Sequence, residues 1–165
     1  MSVAIGLLLI AFACLAQVSI LPQFSIFGVQ PNVVIVLLVS WVAVRGQREA
    51  FLLIPAAGFM LGLLDSEPLG LAMLAFAPLI LLTEVRELRL VESQLLPALG
   101  LVVVASLVYE GTILLTLAVT GERTGWPGSV LNVLVPVAIA NVLLLLPVYG
   151  AVRLASLDLQ RQPSL

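Results

Sequence analysis

Long uncharged runs, cut by short polar breaks, set the pattern of this chain. Val3–Leu21 contains no Asp, Glu, Lys or Arg. About 20 apolar residues, with a range of roughly 17–25, carry an α-helix across the hydrocarbon core of a bilayer, so this run predicts a first spanning helix. Pro22 and Gly28 mark a loop after it. Ile26–Val44 predicts a second span with Pro31 near its start, and Arg45-Gly46-Gln47-Arg48-Glu49 ends it. Phe51–Leu64 and Leu69–Leu82 are apolar but short, separated by Asp65-Ser66-Glu67-Pro68. At about 1.5 Å per residue each covers only about 21 Å. Two short spans surrounded by protein, or one re-entrant hairpin, both fit.

The second half repeats the pattern with one interruption. In Thr83–Gln94, Val85, Leu88 and Val91 recur every third residue with charged residues between them. That spacing predicts an amphipathic helix lying at the interface or extending the next span. Leu95–Val119 is a long fifth span carrying Glu110. Gly121–Gly128 reads as a loop with Trp126 at headgroup level. Ser129–Val152 is the last span, with Pro136 and Pro147 inside it, and Arg153–Leu165 is a polar tail. Residues 1–152 thus form a single transmembrane helical domain, and 153–165 a cytoplasmic tail.

Composition agrees and narrows the class. The chain is 62% hydrophobic and 10% charged, whereas soluble domains are near half apolar and about a quarter charged. Runs of Leu, Val and Ala, with few aromatics, favour helices over an outer-membrane barrel, whose strands alternate polar and apolar residues. Open sheet edges leave backbone groups unsatisfied in lipid. The reading is an all-α membrane protein of about six transmembrane helices. The chain has no His, which removes Ser–His and Cys–His pairs and any His metal site. Cys14 is alone, so no internal disulfide forms, and it reads as a small buried apolar residue. All seven basic residues are Arg and the net charge is −2, so no basic stripe exists for nucleic acid. Ala11-Phe12-Ala13 before Cys14 looks like a cleavage site. No positive segment precedes it, however, and the apolar run continues, so the first helix is read as retained. With six spans and a cytoplasmic N-terminus, Arg123 alone among the arginines falls outside, a strong positive-inside bias.

Few residues could carry chemistry. A carboxylate near the centre of a spanning helix costs about 2.5–3.5 kcal/mol on insertion scales, which singles out Glu110 in the outer half of its span. It fits a proton site, a polar contact to another subunit, or a group tied within the bundle near Asn132, Asn141 or the Arg123 region. Asp65 and Glu67 sit in one short turn without His or Lys, and a solvated turn is the plainer reading; one acidic turn supplies too few metal ligands. Gly58 and Gly62 make a GxxxG pair, which lets helix backbones approach closely, within the chain or against a partner. Asn132 and Pro136 share one helix face, while Asn132 and Asn141 face opposite ways at 100° per residue. Kinked packing or a ligand cavity would account for the last helix. No nucleotide loop, nucleophile constellation or metal spacing is present, so no enzyme and no cofactor is expected.

Gln30-Pro31-Asn32-Val33-Val34, Gly58-Phe59-Met60-Leu61-Gly62-Leu63-Leu64-Asp65 and Pro68-Leu69-Gly70-Leu71 together resemble the rod shape-determining protein MreD family, most strongly over residues 26–82. The chain's size, six-span pattern, Glu110 in the penultimate span, and Asn132 with Pro136 in the last one also look like that family. The turn from Asp65 to Leu69-Gly70 is shorter than the family's. The resemblance implies a non-catalytic bacterial inner-membrane component of the cell-elongation, peptidoglycan-synthesising machinery. Such a component associates with MreC and, through it, with the peptidoglycan synthase and the actin-like MreB. It also implies a compact bundle similar to the substrate-binding subunits of vitamin transporters. A second function therefore stands beside the scaffold: a small-molecule binding subunit of a transporter, with Glu110, Tyr109 and Asn132 as its polar set. A proton-coupled carrier would rest on Glu110 alone.

Overall fold

The computed structural model describes residues 3–24, 29–64, 70–84, 95–120 and 130–160. Among them the chain forms six α-helices: α1 Val3–Ser19, α2 Val33–Arg45, α3 Gln47–Leu64, α4 Leu71–Glu84, α5 Leu95–Val119 and α6 Val135–Gln160. A 3-10 turn, Leu21–Gln23, follows α1, and a π-helical turn, Val130–Leu134, leads into α6.

The apolar sequence of α2 dictates its place. A helix that is hydrophobic all round must be covered all round, and every residue from Val34 to Ala43 is buried. Helices α1, α3, α5 and α6 pack around it, while α4 lies between α3 and α5. Both ends of α2 are fixed by local chemistry. Asn32 is the N-cap, its side chain accepting from the Ile35 amide at 3.1 Å, and Pro31 before it cannot donate to a helix. At the other end Gly46 adopts φ 100°, a conformation that L side chains rarely take, and this lets α3 start at once. The helix is therefore shorter than the Ile26–Val44 expected from hydropathy, because the cap and not the apolar run decides where it begins.

Helices α3 and α4 form a close antiparallel pair. Gly58 lies against the backbone of Met73, and Gly62 lies near Gly70. The GxxxG pair thus packs inside the chain. Cys14 is fully buried, its Sγ 3.9 Å from the Ala57 carbonyl of α3. Beyond the span expected to end at Val152, α6 runs on to Gln160, and Val152 and Ser156 are buried. The amphipathic stretch 85–94, Glu67, Arg123 and Trp126 lie outside the described residues.

A tight corner joins α2 to α3. Trp41 is buried, and its indole Nε1–H donates to Glu49 Oε2 at 2.9 Å. Arg45 Nη2 lies 3.5 Å from Glu49 Oε1. A buried indole N–H left without an acceptor costs roughly 1–3 kcal/mol. Glu49→Ala is expected to destabilise by about that amount, while Glu49→Gln, which keeps an acceptor oxygen, retains most of the stability. Denaturant titration in detergent checks this, and equal losses in the two variants would refute the indole bond as the cause.

The outer faces are apolar. Leu8, Phe12 and Leu15 on α1, and Leu143, Leu146 and Leu154 on α6, are all exposed. Water would penalise such surface by about 25 cal/mol per Å², whereas hydrocarbon does not. Three segments, Val3–Gln23, Leu95–Val119 and Asn132–Ser156, are long and apolar enough to cross a membrane. Helices α2 and α4, at 13 and 14 residues, are shorter than the roughly 17 a full crossing needs.

Candidate functional site

Where α2 begins, four helices meet in a buried polar knot. The first amides of a helix lack intrahelical acceptors, and here side chains supply them. Gln17 of α1 accepts from Val33 N through Oε1 at 2.8 Å and donates through Nε2 to the Pro31 carbonyl at 3.2 Å. Asn141 of α6 accepts from Asn32 N through Oδ1 at 2.6 Å and donates through Nδ2 to Ser106 Oγ of α5 at 2.8 Å. The Ser106 hydroxyl in turn donates to the Val102 carbonyl at 2.7 Å. Asn32, Ser106 and Asn141 are all buried. A satisfied network of this kind fixes one arrangement of its helices. Every polar side chain in it is neutral and is engaged within the network.

The residues singled out from sequence scatter around this knot. Tyr109 is buried, its ring tilted against Phe76 of α4 at a centroid distance of 4.8 Å. Glu110 is half-buried on α5, one turn outward from Leu107. Asn132 is exposed within the π turn. Pro136 stands at the second position of α6, directly after that turn, rather than deep within a helix. Asp65 lies outside the described residues. Tyr109 packs inward on α4 while Asn132 faces outward, so the proposed polar set does not converge. Asn141, a suspected neighbour of Glu110, gives its amide to Asn32 and Ser106 instead.

On the outer side of the α5–α6 seam, opposite the Ser106–Asn141 bond, lies an apolar groove of about 350 Å³. Val103 and Leu107 form one wall, Val135, Ile139 and Leu143 the other, and Ala138 and Val142 are also in its lining. A far smaller cavity sits between α2, α3, α4 and α5, lined by Leu38, Val42, Ile54 and Leu79 among others. Neither is lined by a polar side chain.

Fold and surface together define the class: an all-α bundle with an apolar exterior and its strongest polar contacts turned inward. Compared with models of known families, with curated proteins and with solved structures, the chain matches none.

Proposed function

We propose that the chain is a non-catalytic, multi-pass scaffold of the bacterial inner membrane that serves the cell-elongation complex. In this role it docks an MreC-like partner and, through that partner, links the peptidoglycan synthase and the actin-like MreB. The observation that carries the reading is the division of labour between inside and outside. The buried polar groups of the knot bind one another, and what the described helices offer to their surroundings is mostly apolar surface and an apolar groove. Helix-to-helix assembly in lipid uses surfaces of that kind. The residues that carry the resemblance to the MreD family support it further, since Asn32 caps the central helix and Gly58 seats α3 on α4. Both termini are cytoplasmic in this reading, as the arginine distribution favours.

Affinity purification of the tagged protein from its native membrane in mild detergent tests it. An MreC-like protein is expected to co-purify, together with the elongation synthase. Recovery of an ATPase-coupled transmembrane module in its place would make the chain a transporter subunit and end the scaffold reading.

A further inference from the structure

We infer that the paired α3 and α4 form a face that thins the bilayer and takes phospholipid with short acyl chains as its partner. At about 1.5 Å per residue the apolar run Ala50–Leu64 covers about 22 Å, against the roughly 30 Å of an ordinary hydrocarbon core. The inference rests on the membrane placement in the scaffold reading, and not on the protein partner named there.

Charge sets the length at both ends. On α3 the apolar run lies between Arg48-Glu49 and Asp65, and on α4 the run Leu71–Leu82 lies between Glu67 and Glu84. The two helices are antiparallel, with Gly62 beside Gly70 and Gly58 beside Met73. That register brings position 48 to the level of position 84, so both runs end together and bound one slab. The exposed side chains within it are apolar, with Leu52, Phe59 and Leu63 on α3 and Met73, Leu74 and Leu81 on α4. The neighbouring helix supplies a ruler, starting from the contact between the Phe76 and Tyr109 rings. Towards one end α4 runs about 8 Å to Leu71 where α5 runs about 15 Å to Val119. Towards the other α4 runs about 12 Å to Glu84 where α5 runs about 21 Å to Leu95. Helix α4 thus falls short of α5 at both ends.

A long helix sheds excess length by tilting, but a short one thins the bilayer, snorkels its flanking side chains or oligomerises. Snorkelling belongs to the long stems of Arg and Lys, whereas Glu49, Asp65, Glu67 and Glu84 are acidic and short. A partner helix of ordinary length, about 30 Å, would overhang this face by more than a turn. Acyl chains compress or are exchanged for shorter ones, so lipid fits where a spanning helix does not.

Lipid quenching of the full chain in vesicles tests the assignment. A fluorescent amino acid replaces Leu74 on α4 or, as the control, Leu143 on α6, both exposed. The vesicles mix phosphatidylcholines of fourteen-carbon and twenty-two-carbon chains, with one of the two brominated in turn. At Leu74 the shorter lipid is expected to quench severalfold more than the longer at equal mole fraction, and at Leu143 that preference is expected to vanish or reverse. Nitroxides at Leu64 and Leu81, near opposite ends of the slab, are expected to meet a polar nickel quencher as interfacial groups do, even in vesicles of eighteen-carbon lipid. Equal quenching by both lipids at Leu74, or nitroxides that meet only oxygen as in deep hydrocarbon, would overturn the thinning. Absence of lipid quenching at Leu74 alone would mean that a second copy of the chain covers the face, and would overturn it too. Each of these results leaves the scaffold reading standing, since co-purification of its partner tests that separately. Absence of lipid quenching at Leu143 as well would overturn the membrane placement on which both rest.

Discussion

Asn141→Leu is expected to destabilise the bundle by about 2 kcal/mol, the cost of stranding a buried amide. Leucine fills nearly the same volume, so packing survives and the loss reports on hydrogen bonding. The Ser106 hydroxyl keeps its bond to the Val102 carbonyl, so the damage concentrates on Asn32 N, which loses its acceptor at the start of α2. Interhelical hydrogen bonds in membranes average only about 0.6 kcal/mol, with a maximum near 1.7. A larger loss here follows from the orphaned backbone group rather than from the pair itself. Ser106→Ala is expected to cost less, about 1 kcal/mol, because it strands only one N–H of the Asn141 amide. The double variant is expected to lose less than the sum, since the two residues share one bond. Reversible unfolding by SDS titration measures all three. If Asn141→Leu stays within about 0.5 kcal/mol of wild type, an ordinary surface-mutation effect, the knot does not hold the bundle.

The two glycines of the GxxxG pair are expected to respond to alanine with opposite signs. A Cβ on Gly58 would stand 2.8 Å from Met73 Cα and 3.3 Å from the Ala72 carbonyl. Backbone cannot swing aside as a side chain does, so α3 and α4 must separate, and such overpacking costs roughly 1–3 kcal/mol. On Gly62 the nearest atoms are 3.8 and 3.9 Å away, which is ordinary contact. There the helix preference of Ala over Gly, up to about 1 kcal/mol, acts unopposed. Gly58→Ala is therefore expected to lower the unfolding midpoint and Gly62→Ala to leave it unchanged or raise it. Loss of stability in both would mean that the pair approaches along its whole length more closely than the distances indicate.

Hydropathy made the helical class plain, because a bilayer demands long apolar runs and this chain has them. Boundaries were harder. The second apolar run suggested a helix from Ile26, yet α2 starts at Val33, since the Pro31-Asn32 cap overrides hydrophobicity. Polarity marked a tail from Arg153 but not its structure: Leu154 and Ala155 are good helix formers, and α6 continues into it to Gln160. The opposite facing of Asn132 and Asn141 followed from helical geometry, and the structure has one exposed and the other buried. What joins Asn141 to Asn32 did not follow, because the partners are 109 positions apart and no local periodicity reports a tertiary bond. Gln17 carried a faint signal, an amide within an otherwise apolar run, without any hint of what it serves. Glu110 drew attention by its charge, whereas the knot next to it is built entirely from neutral groups.

The reach of the Asn32–Asn141 bond also orders the birth of the molecule. When α2 emerges from the ribosome it is too short to lodge firmly in a bilayer, and Gln17, already synthesised, and the Asn32 side chain are at hand to take two of its first amides. The acceptor for Asn32 N lies in α6 and arrives only after α3, α4 and α5 have been made. Until then the central helix has an unsatisfied end in a solvent that cannot hydrogen-bond it. Closure of the bundle thus waits on the insertion of α6, and a chain stopped before residue 141 would leave its own centre unfinished.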